Sequence, residues 1–337
     1  MTKDELKTFH KIQPDAAIFT AIDPVKFIDY DSSETDTSSE TDETTLPEPL
    51  TALYDPTTIN LEKEEITNVC QSVYEAYKKE YNDNAYANLS RYTKIQAQNP
   101  AWMTHRAGRV TASILKEVFC TNENTKTSQS LVDKIMQYKI NKTNKYTQYG
   151  IKMEPIAKQY YVNEESCKHK NFSTNEVGFL VKSNQPFLGA SPDGLVNCSC
   201  HGKRVLEIKC PYTYRNGLNE WQTNKDFPID CNNQIKIDHK YHYQVQLQMY
   251  IYNVSYADFL VYSPSNNGKS SILISVKKDD EFITTVIKKV LLYFTNIILP
   301  EIVTRKNDIL LKNDRKTYCI CKRPSFGKMI RRLLTTN

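Results

Sequence analysis

Between Gly189 and Pro211 the chain reads Gly-Ala-Ser-Pro-Asp-Gly, then a short loop, then Val-Leu-Glu-Ile-Lys-Cys-Pro. An Asp, a gap and a Glu-x-Lys on an apolar segment is a layout suited to metal-assisted phosphodiester hydrolysis. Asp193 and Glu207 can hold a hard divalent cation through carboxylate oxygens. Positions 207 and 209 of a strand share one face, so Lys209 projects beside Glu207 while Leu206 and Ile208 pack behind. A cation that polarises a phosphoryl oxygen and generates hydroxide, beside an ammonium that orients the water, is a hydrolytic constellation. The same letters have a plainer reading. Ser-Pro-Asp-Gly is also an ordinary turn sequence, and an isolated Glu-x-Lys strand is often a solvated face. The stretch alone leaves both open.

The elements that would position these residues follow from periodicity. Asn60 to about Ala97 is helical, with Ile66, Val69, Val73, Ala76 and Tyr77 on one face. Ala101–Phe119 reads as a turn and another helix, Thr121–Ser130 as a polar loop, and Leu131–Ile140 as helix. A further helix is expected through Glu154 to Tyr161. Pro155 requires that it start near that residue or be distorted there, because the residue before a proline is pushed away from helical geometry. Val177–Val181, Phe187–Ala190 and Val205–Lys209 read as three successive strands. Tyr241–Tyr252 is ambiguous: Val245, Leu247, Met249 and Ile251 alternate like a strand, yet Tyr241, Gln244 and Gln248 fall on one helical face. Tyr256–Tyr262 and Ser271–Val276 are strand-like, and Glu281–Val303 is an amphipathic helix. A helical start followed by a sheet interrupted and flanked by helices is an α/β or α+β architecture.

Composition bounds the class. Of the 337 residues, 39% are hydrophobic and 25% charged, as in a soluble globular protein. The net charge of +5 hides an asymmetry. Residues 1–50 carry 12 acidic and 4 basic side chains, leaving 40 basic and 27 acidic, a formal +13, over residues 51–337. The body thus suits a polyanionic partner. Asp29–Thr45 is built of Asp, Glu, Ser and Thr with one Tyr and contains an imperfect tandem hexad. It is expected to be disordered, for want of apolar surface to offset its ordering entropy. The amino terminus lacks the apolar stretch of a signal peptide. No segment approaches the length needed to cross a bilayer, Val290–Leu299 being read as a short buried helix, so no membrane partner is expected. Nine cysteines without an export signal argue for reduced thiols in a nuclear or cytoplasmic protein that is not secreted.

Four separated segments line up. They are Ala101-Trp-Met-Thr-His-Arg-Ala-Gly-Arg-Val-Thr-Ala-Ser113; Gly150-Ile-Lys-Met-Glu154-Pro-Ile-Ala157, with Tyr160 beyond; Gly189-Ala-Ser-Pro-Asp193-Gly with Leu206-Glu207-Ile-Lys209-Cys-Pro; and Tyr243-Gln244-Val-Gln246. Together, from roughly Asn60 to Val303, they resemble the YqaJ-like viral recombinase family, the group of phage lambda exonuclease, within the PD-(D/E)xK nuclease superfamily. The resemblance implies a restriction-endonuclease-like core, a central mixed sheet flanked by helices with a helical N-terminal part. Asp193 and Glu207 match the metal ligands, the backbone carbonyl of Ile208 a further ligand, and Glu154 the helix-borne acid that completes the site directly or through water. Lys209 matches the lysine that activates or orients the attacking water. Gln244 matches a glutamine whose helix covers the site, which resolves Tyr241–Tyr252 as a helix. Gln248 is read as a neighbour of that site or plain helix surface. Arg106, Ser113 and Ser191 match a pocket for a 5′-terminal phosphate. A guanidinium gives bidentate charge-assisted bonds to phosphate there, whereas a structural salt bridge is the plainer role for Arg106. Trp102 is expected to support the pocket from below.

The resemblance further implies Mg²⁺ (or Mn²⁺) as cofactor, double-stranded DNA ends as substrate, self-association and a single-strand annealing partner. The activity expected is a 5′ exonuclease; an endonuclease on the same fold and a non-catalytic DNA-binding derivative remain rivals. The nuclease domain is placed at 51–305, between the acidic tail (1–50) and a basic tail (306–337). Tyr318-Cys-Ile-Cys321 resembles the opening of a PHD finger, but supplies two of the eight ligands such a finger needs. Cys198-Ser-Cys200-His201 offers three ligands at best where zinc needs four, so no zinc is expected there.

Overall fold

The computed structural model describes residues 46–121, 129–139, 144–218, 221–264 and 270–306. The acidic hexads, most of the 121–130 loop and the PHD-like segment lie outside these residues. Within them the globular unit takes in Pro47 and Leu50, the latter fully buried, slightly ahead of the boundary expected at residue 51.

Helical stripes build the first third. Helix α1 (Lys63–Glu80) opens where Glu65 accepts a hydrogen bond from the Glu62 amide at 3.0 Å, and it buries Ile66, Cys70, Val73, Tyr74 and Tyr77. Cys70 and Tyr74 take the core places expected for Val69 and Ala76, which are half-buried. Asn82 caps α2 (Asp83–Tyr92), and Asn99 caps α3 (Pro100–Arg106), where Pro100 suits a first turn that has no amide to satisfy. Strand β1 (Val110–Thr111), α4 (Leu115–Cys120) and α5 (Gln129–Met136) follow.

Helix α6 (Lys145–Ser166) begins at Asn144, whose side chain accepts from the amides of Tyr146 and Thr147 at 3.0 Å. Of the two alternatives, a start near Pro155 or a distortion there, the first is ruled out: the helix runs through the proline. The carbonyl of Ile151, deprived of its partner, lies on an exposed face, where water can satisfy it.

Strands β2 (Ser173–Asn175), β3 (Leu180–Lys182), β4 (Gln185–Ala190), β5 (Gly194–Cys198) and β6 (Gly202–Lys209) come next. They are followed by α7 (Lys240–Tyr252), β7 (Tyr256–Tyr262), β8 (Ser271–Lys277) and α8 (Asp280–Tyr293). A π-helical turn over Phe294–Ile298 leads into α9 (Leu299–Thr304). The strands form two mixed sheets, β1-β4-β3 and β2-β5-β6-β7-β8. In the larger, β5 and β6 are antiparallel from Gly194↔Leu206 to Cys198↔Gly202, and β6 runs parallel to β7. The sequence reading lacked β5: Gly194 and Asn197 are poor strand formers, and the strand is held by pairing on both edges.

Helix α7 explains its ambiguous pattern. Tyr243, Leu247 and Ile251 pack with the core of α1 and α8, while Val245 and Met249 pack with β7 and β8. A helix buried on opposite sides is apolar nearly all round and shows no clean stripe.

One expectation needs correcting. The continuous helix Asp280–Thr304 is, at 25 residues, long and apolar enough to cross a membrane. Here its apolar face is core: Ile283, Val286, Val290, Phe294, Ile298 and Ile302 are at most 1% exposed.

Acid should loosen α3. Burial, aided by the nearby Arg109 guanidinium, pulls the His105 imidazole down to about 3. The unfolded chain binds that proton at about 6.5. Stability from this residue is therefore complete above the unfolded value and is lost as pH falls toward 3, by up to about 1.4 kcal/mol per unit. Denaturant titrations of wild type and His105→Gln at pH 7 and 4.5 check this. An unchanged pH slope in the variant would refute it.

Candidate active site

Asp193 sits at the mouth of β5, where its amide donates to the Leu206 carbonyl at 3.0 Å and its Oδ2 accepts from the Ile208 amide at 2.6 Å. Two backbone-anchored bonds thus hold the Asp193 carboxylate against β6. Strand alternation then divides β6 between two helices. Leu206 and Ile208 pack against Met153, Ala157 and Tyr161 of α6. Glu207 turns to α7 and is 1% exposed.

Both oxygens of Glu207 accept hydrogen bonds. Its Oε1 accepts from the Lys209 ammonium and from Gln244 Nε2, and its Oε2 from Gln248 Nε2. Lys209 also lies 5.1 Å from the ring centre of Tyr241, one face of which it covers. Glu154, from α6, lines the same cleft as Lys209 and interacts electrostatically with Lys209 and Glu207. One turn further on, Lys158 donates to the Asp193 carbonyl at 2.7 Å and pairs with Glu176.

The electrostatics mark the corner as charge-crowded. Burial and then the Glu207 charge raise the Asp193 carboxyl well above the usual range, against the pull of Lys209. Glu154 is raised by desolvation and by Glu207, with Lys209 opposing. Lys209 is pushed up: burial works against its charge, but Glu207 and Asp193 outweigh it. Three carboxylates held together at such cost, beside the Ile208 backbone, are a donor set for a hard divalent cation, which would relieve their repulsion. The residues present fit such an ion.

Before this corner opens a cleft of about 870 Å³, lined by Glu154, Lys209, Tyr146, Tyr212, Lys240 and Tyr241. Cations sit over its aromatic rings: Lys145 lies 5.5 Å and Arg215 4.5 Å from the ring centre of Tyr212. Alternating π-faces and positive charge suit a nucleic-acid strand.

Arg106 and Ser191 meet elsewhere on the same scaffold. The guanidinium stacks 4.0 Å from the Trp102 ring centre, and Ser191 Oγ accepts from Trp102 Nε1 at 3.2 Å and from Arg106 at 3.4 Å. Phe179 lies on the guanidinium's other aromatic contact, at 5.6 Å. Gly189 makes this possible, since a Cβ there would stand 2.1 Å from Phe179 Cζ. Among the described residues no carboxylate pairs with Arg106, so the salt-bridge role has no partner there. Burial lowers its pKa to about 10, still far above neutrality. Ser113 is less closely assembled. It leaves β1 two residues past the Thr111↔Gly189 pair, as Ser191 leaves β4, so both are at one end of parallel strands. Its exposed hydroxyl lies 3.3 Å from that of Thr111.

The residues just placed, from Trp102 to Gln248, fall in one stretch. Residues 101–255 match the YqaJ-like viral recombinase domain. An uncharacterized protein of Acanthamoeba polyphaga mimivirus is 26% identical over 179 residues, which is 51% of this chain and 30% of that protein. The chain therefore spans less than a third of this relative's length. Among solved structures, an alkaline exonuclease of Laribacter hongkongensis is similar over 65% of this chain and 100% of its own, with 23% identity and a TM-score of 0.45. The Shutoff and Exonuclease Protein of Kaposi's sarcoma associated herpesvirus is similar over 69% and 77%, with 12% identity and a TM-score of 0.48.

The matched stretch also contains residues to which the sequence alone gave no firm role. Gln248 was open between a role beside the site and plain helix surface. It is 1% exposed and bonded to Glu207. The signal was its i,i+4 spacing from Gln244, which puts both amides on one face. Gln246, by contrast, is structural, donating to the Lys277 carbonyl and accepting from the Asp279 amide. Lys158 carried the same kind of signal, four residues after Glu154. Gln248→Ala would leave a buried carboxylate oxygen without its donor, at a cost of about 1–3 kcal/mol. A lowered thermal midpoint together with reduced turnover is expected. Wild-type values for both would show that Gln248 does not support Glu207.

Proposed function

We propose that this chain is a divalent-metal-dependent deoxyribonuclease that hydrolyses phosphodiesters from 5′-phosphorylated duplex ends. The observation that carries the reading is the convergence of Asp193, Glu207, Lys209 and Glu154 at one end of β5 and β6, with Gln244 and Gln248 fixing Glu207. The match to a viral recombinase domain supports a role in recombination of a virus or mobile element, with a single-strand annealing partner. The +13 body of residues 51–337 supports a polyanionic substrate.

Asp193, Glu207 and the Ile208 carbonyl would hold Mg²⁺ or Mn²⁺, with Glu154 bound directly or through water. When bound, the ion supplies Lewis acidity at the phosphoryl oxygen and a more acidic water. Lys209 has only donors while it is an ammonium. In that state it would orient the attacking oxygen and offset phosphoryl charge. Gln244 and Gln248 hold the Glu207 carboxylate in one orientation, so little reorganisation is needed when substrate arrives. Tyr146, Tyr212 and Tyr241 offer faces for bases along the cleft. Arg106 and Ser191, with Ser113 beside them, offer donors to a terminal phosphate.

The test is digestion of end-labelled linear duplex and of closed circular DNA, each with and without Mg²⁺. Progressive loss of the linear substrate only with metal, with circles spared, is the expected result. Nicking of closed circles would replace the exonuclease with an endonuclease, and binding without cleavage would leave a DNA-binding derivative.

A further inference from the structure

At the opposite end of the β5–β6 hairpin lies a cluster that the proposed chemistry does not use. Cys198 ends β5, and Cys200 and His201 occupy the turn before β6. These three residues seemed one ligand short. The fold supplies a fourth, His169, from the loop between α6 and β2. The four donor atoms lie within 4.8 Å of one another. Cys200 Sγ is 3.4 Å from Cys198 Sγ, and His169 Nδ1 is 3.2 Å from both Cys200 Sγ and His201 Nδ1. Cys198 Sγ is 3.9 Å from His201 Nδ1. A tetrahedron with Zn–S of about 2.3 Å and Zn–N of about 2.0–2.1 Å has edges of about 3.3–3.8 Å. The observed separations bracket that range.

The surroundings fit a metal as well as the distances do. His169 Nε2 lies 3.3 Å from Glu165 Oε2, a buried carboxylate that can accept a hydrogen bond from that nitrogen, which would leave the Nδ1 lone pair for the cluster. A carboxylate on the far nitrogen is the usual support of a metal-bound histidine. His201 turns its own Nδ1 toward that lone pair, with the two rings edge to face. Arg204, anchored on Asp258 at 3.1 Å, directs a guanidinium nitrogen to 3.8 Å from Cys198 Sγ, where it can donate to the sulfur. Two thiolates would neutralise a divalent ion. Thiolate with imidazole selects a soft or borderline metal, unlike the all-oxygen corner at Asp193.

We propose that His169, Cys198, Cys200 and His201 bind one structural zinc ion. Four protein ligands close the coordination shell, so the ion takes no part in hydrolysis. Its role is mechanical. The loop holding His169 continues from α6, which carries Glu154, and the turn holding the thiols belongs to the hairpin that carries Asp193, Glu207 and Lys209. Hydrogen bonds of 2.9 Å, from the Ser199 amide to the Lys170 carbonyl and from Asn171 to Ser199 Oγ, already join loop and turn. Zinc would fasten them together. Cys198 is four residues along β5 from Gly194, so the clamp stands about 14 Å from the catalytic end at 3.4 Å per residue.

The full chain, purified under reducing conditions without chelator, should contain one zinc per molecule by mass spectrometry of metals. Replacement by Co²⁺ should give the intense visible bands of a tetrahedral thiolate site. Asp193→Asn should keep both signals, which separates this ion from the catalytic one and the zinc proposal from the nuclease reading. Cys200→Ser and His169→Ala should lose the zinc and the cobalt bands and melt at lower temperature, whereas Cys231→Ser, at an exposed thiol outside the cluster, should match wild type. Wild type with no stoichiometric zinc and no tetrahedral cobalt spectrum would overturn the proposal, whether or not the variants fold. So would full retention of both signals in Cys200→Ser.

Discussion

Asp193→Asn is expected to lose hydrolysis by about a thousandfold or more while still binding DNA, and Glu207→Gln to do the same. Each removes one unit of ligand charge with little change of shape. Loss of several kcal/mol of metal-derived stabilisation corresponds to about three decades of rate at about 1.4 kcal/mol each. Asp193→Asn is the cleaner variant. An amide oxygen can still accept from the Ile208 amide, so the β5 entry keeps its anchor. Glu207→Gln sets an amide nitrogen against one of the donors from Lys209, Gln244 and Gln248, and local repacking is expected in addition. Single-turnover digestion at saturating Mg²⁺, with DNA retention and circular dichroism alongside, checks both. Near wild-type turnover in folded Asp193→Asn would place the site elsewhere. Lys209→Ala should be inactive too, yet still take up metal.

Arg106→Ala is expected to slow digestion of 5′-phosphorylated linear duplex by about ten- to a hundredfold, and to leave 5′-hydroxyl duplex nearly unchanged. The magnitude follows from one charge-assisted hydrogen bond of about 1.5–3 kcal/mol at about 1.4 kcal/mol per decade. The guanidinium is fixed by Trp102, Phe179 and Ser191. The comparison between the two ends is the decisive reading, because a general loss of stability would slow both alike. Equal rates on the two ends in wild type would remove the pocket from the reading and favour cleavage within the strand.

The order of motifs was legible because the chemistry is local in sequence. Asp193, Glu207 and Lys209 lie on two neighbouring strands, and the period of two by itself placed Glu207 and Lys209 together with Leu206 and Ile208 behind. The long helices over 63–80 and 280–293 were legible for the same reason: one buried side leaves a visible stripe. Where burial is two-sided, the pattern misleads. Helix α7 packs on opposite cores and looked half like a strand.

Tertiary structure alone decided what depends on distant partners. Strand β5, weak by propensity, exists because β2 and β6 pair with it. Pro155 could be carried inside α6 because the carbonyl it strands faces water. Arg109 stood in the first motif without an assigned role; it is fully buried and bonded to Pro186, His105 and Tyr77, which no local pattern could announce. His169 is the clearest case. In the sequence it lies 29 positions before Cys198, and the count of ligands near the hairpin stopped at three. Only the antiparallel return of β5 and β6 past the end of α6 brings it within 3.2 Å of Cys200. Residue types fix which chemistry is available, and local periodicity fixes which side chains share a face. Which faces then meet is decided by packing between segments far apart in the chain, and a single sequence does not record that distance.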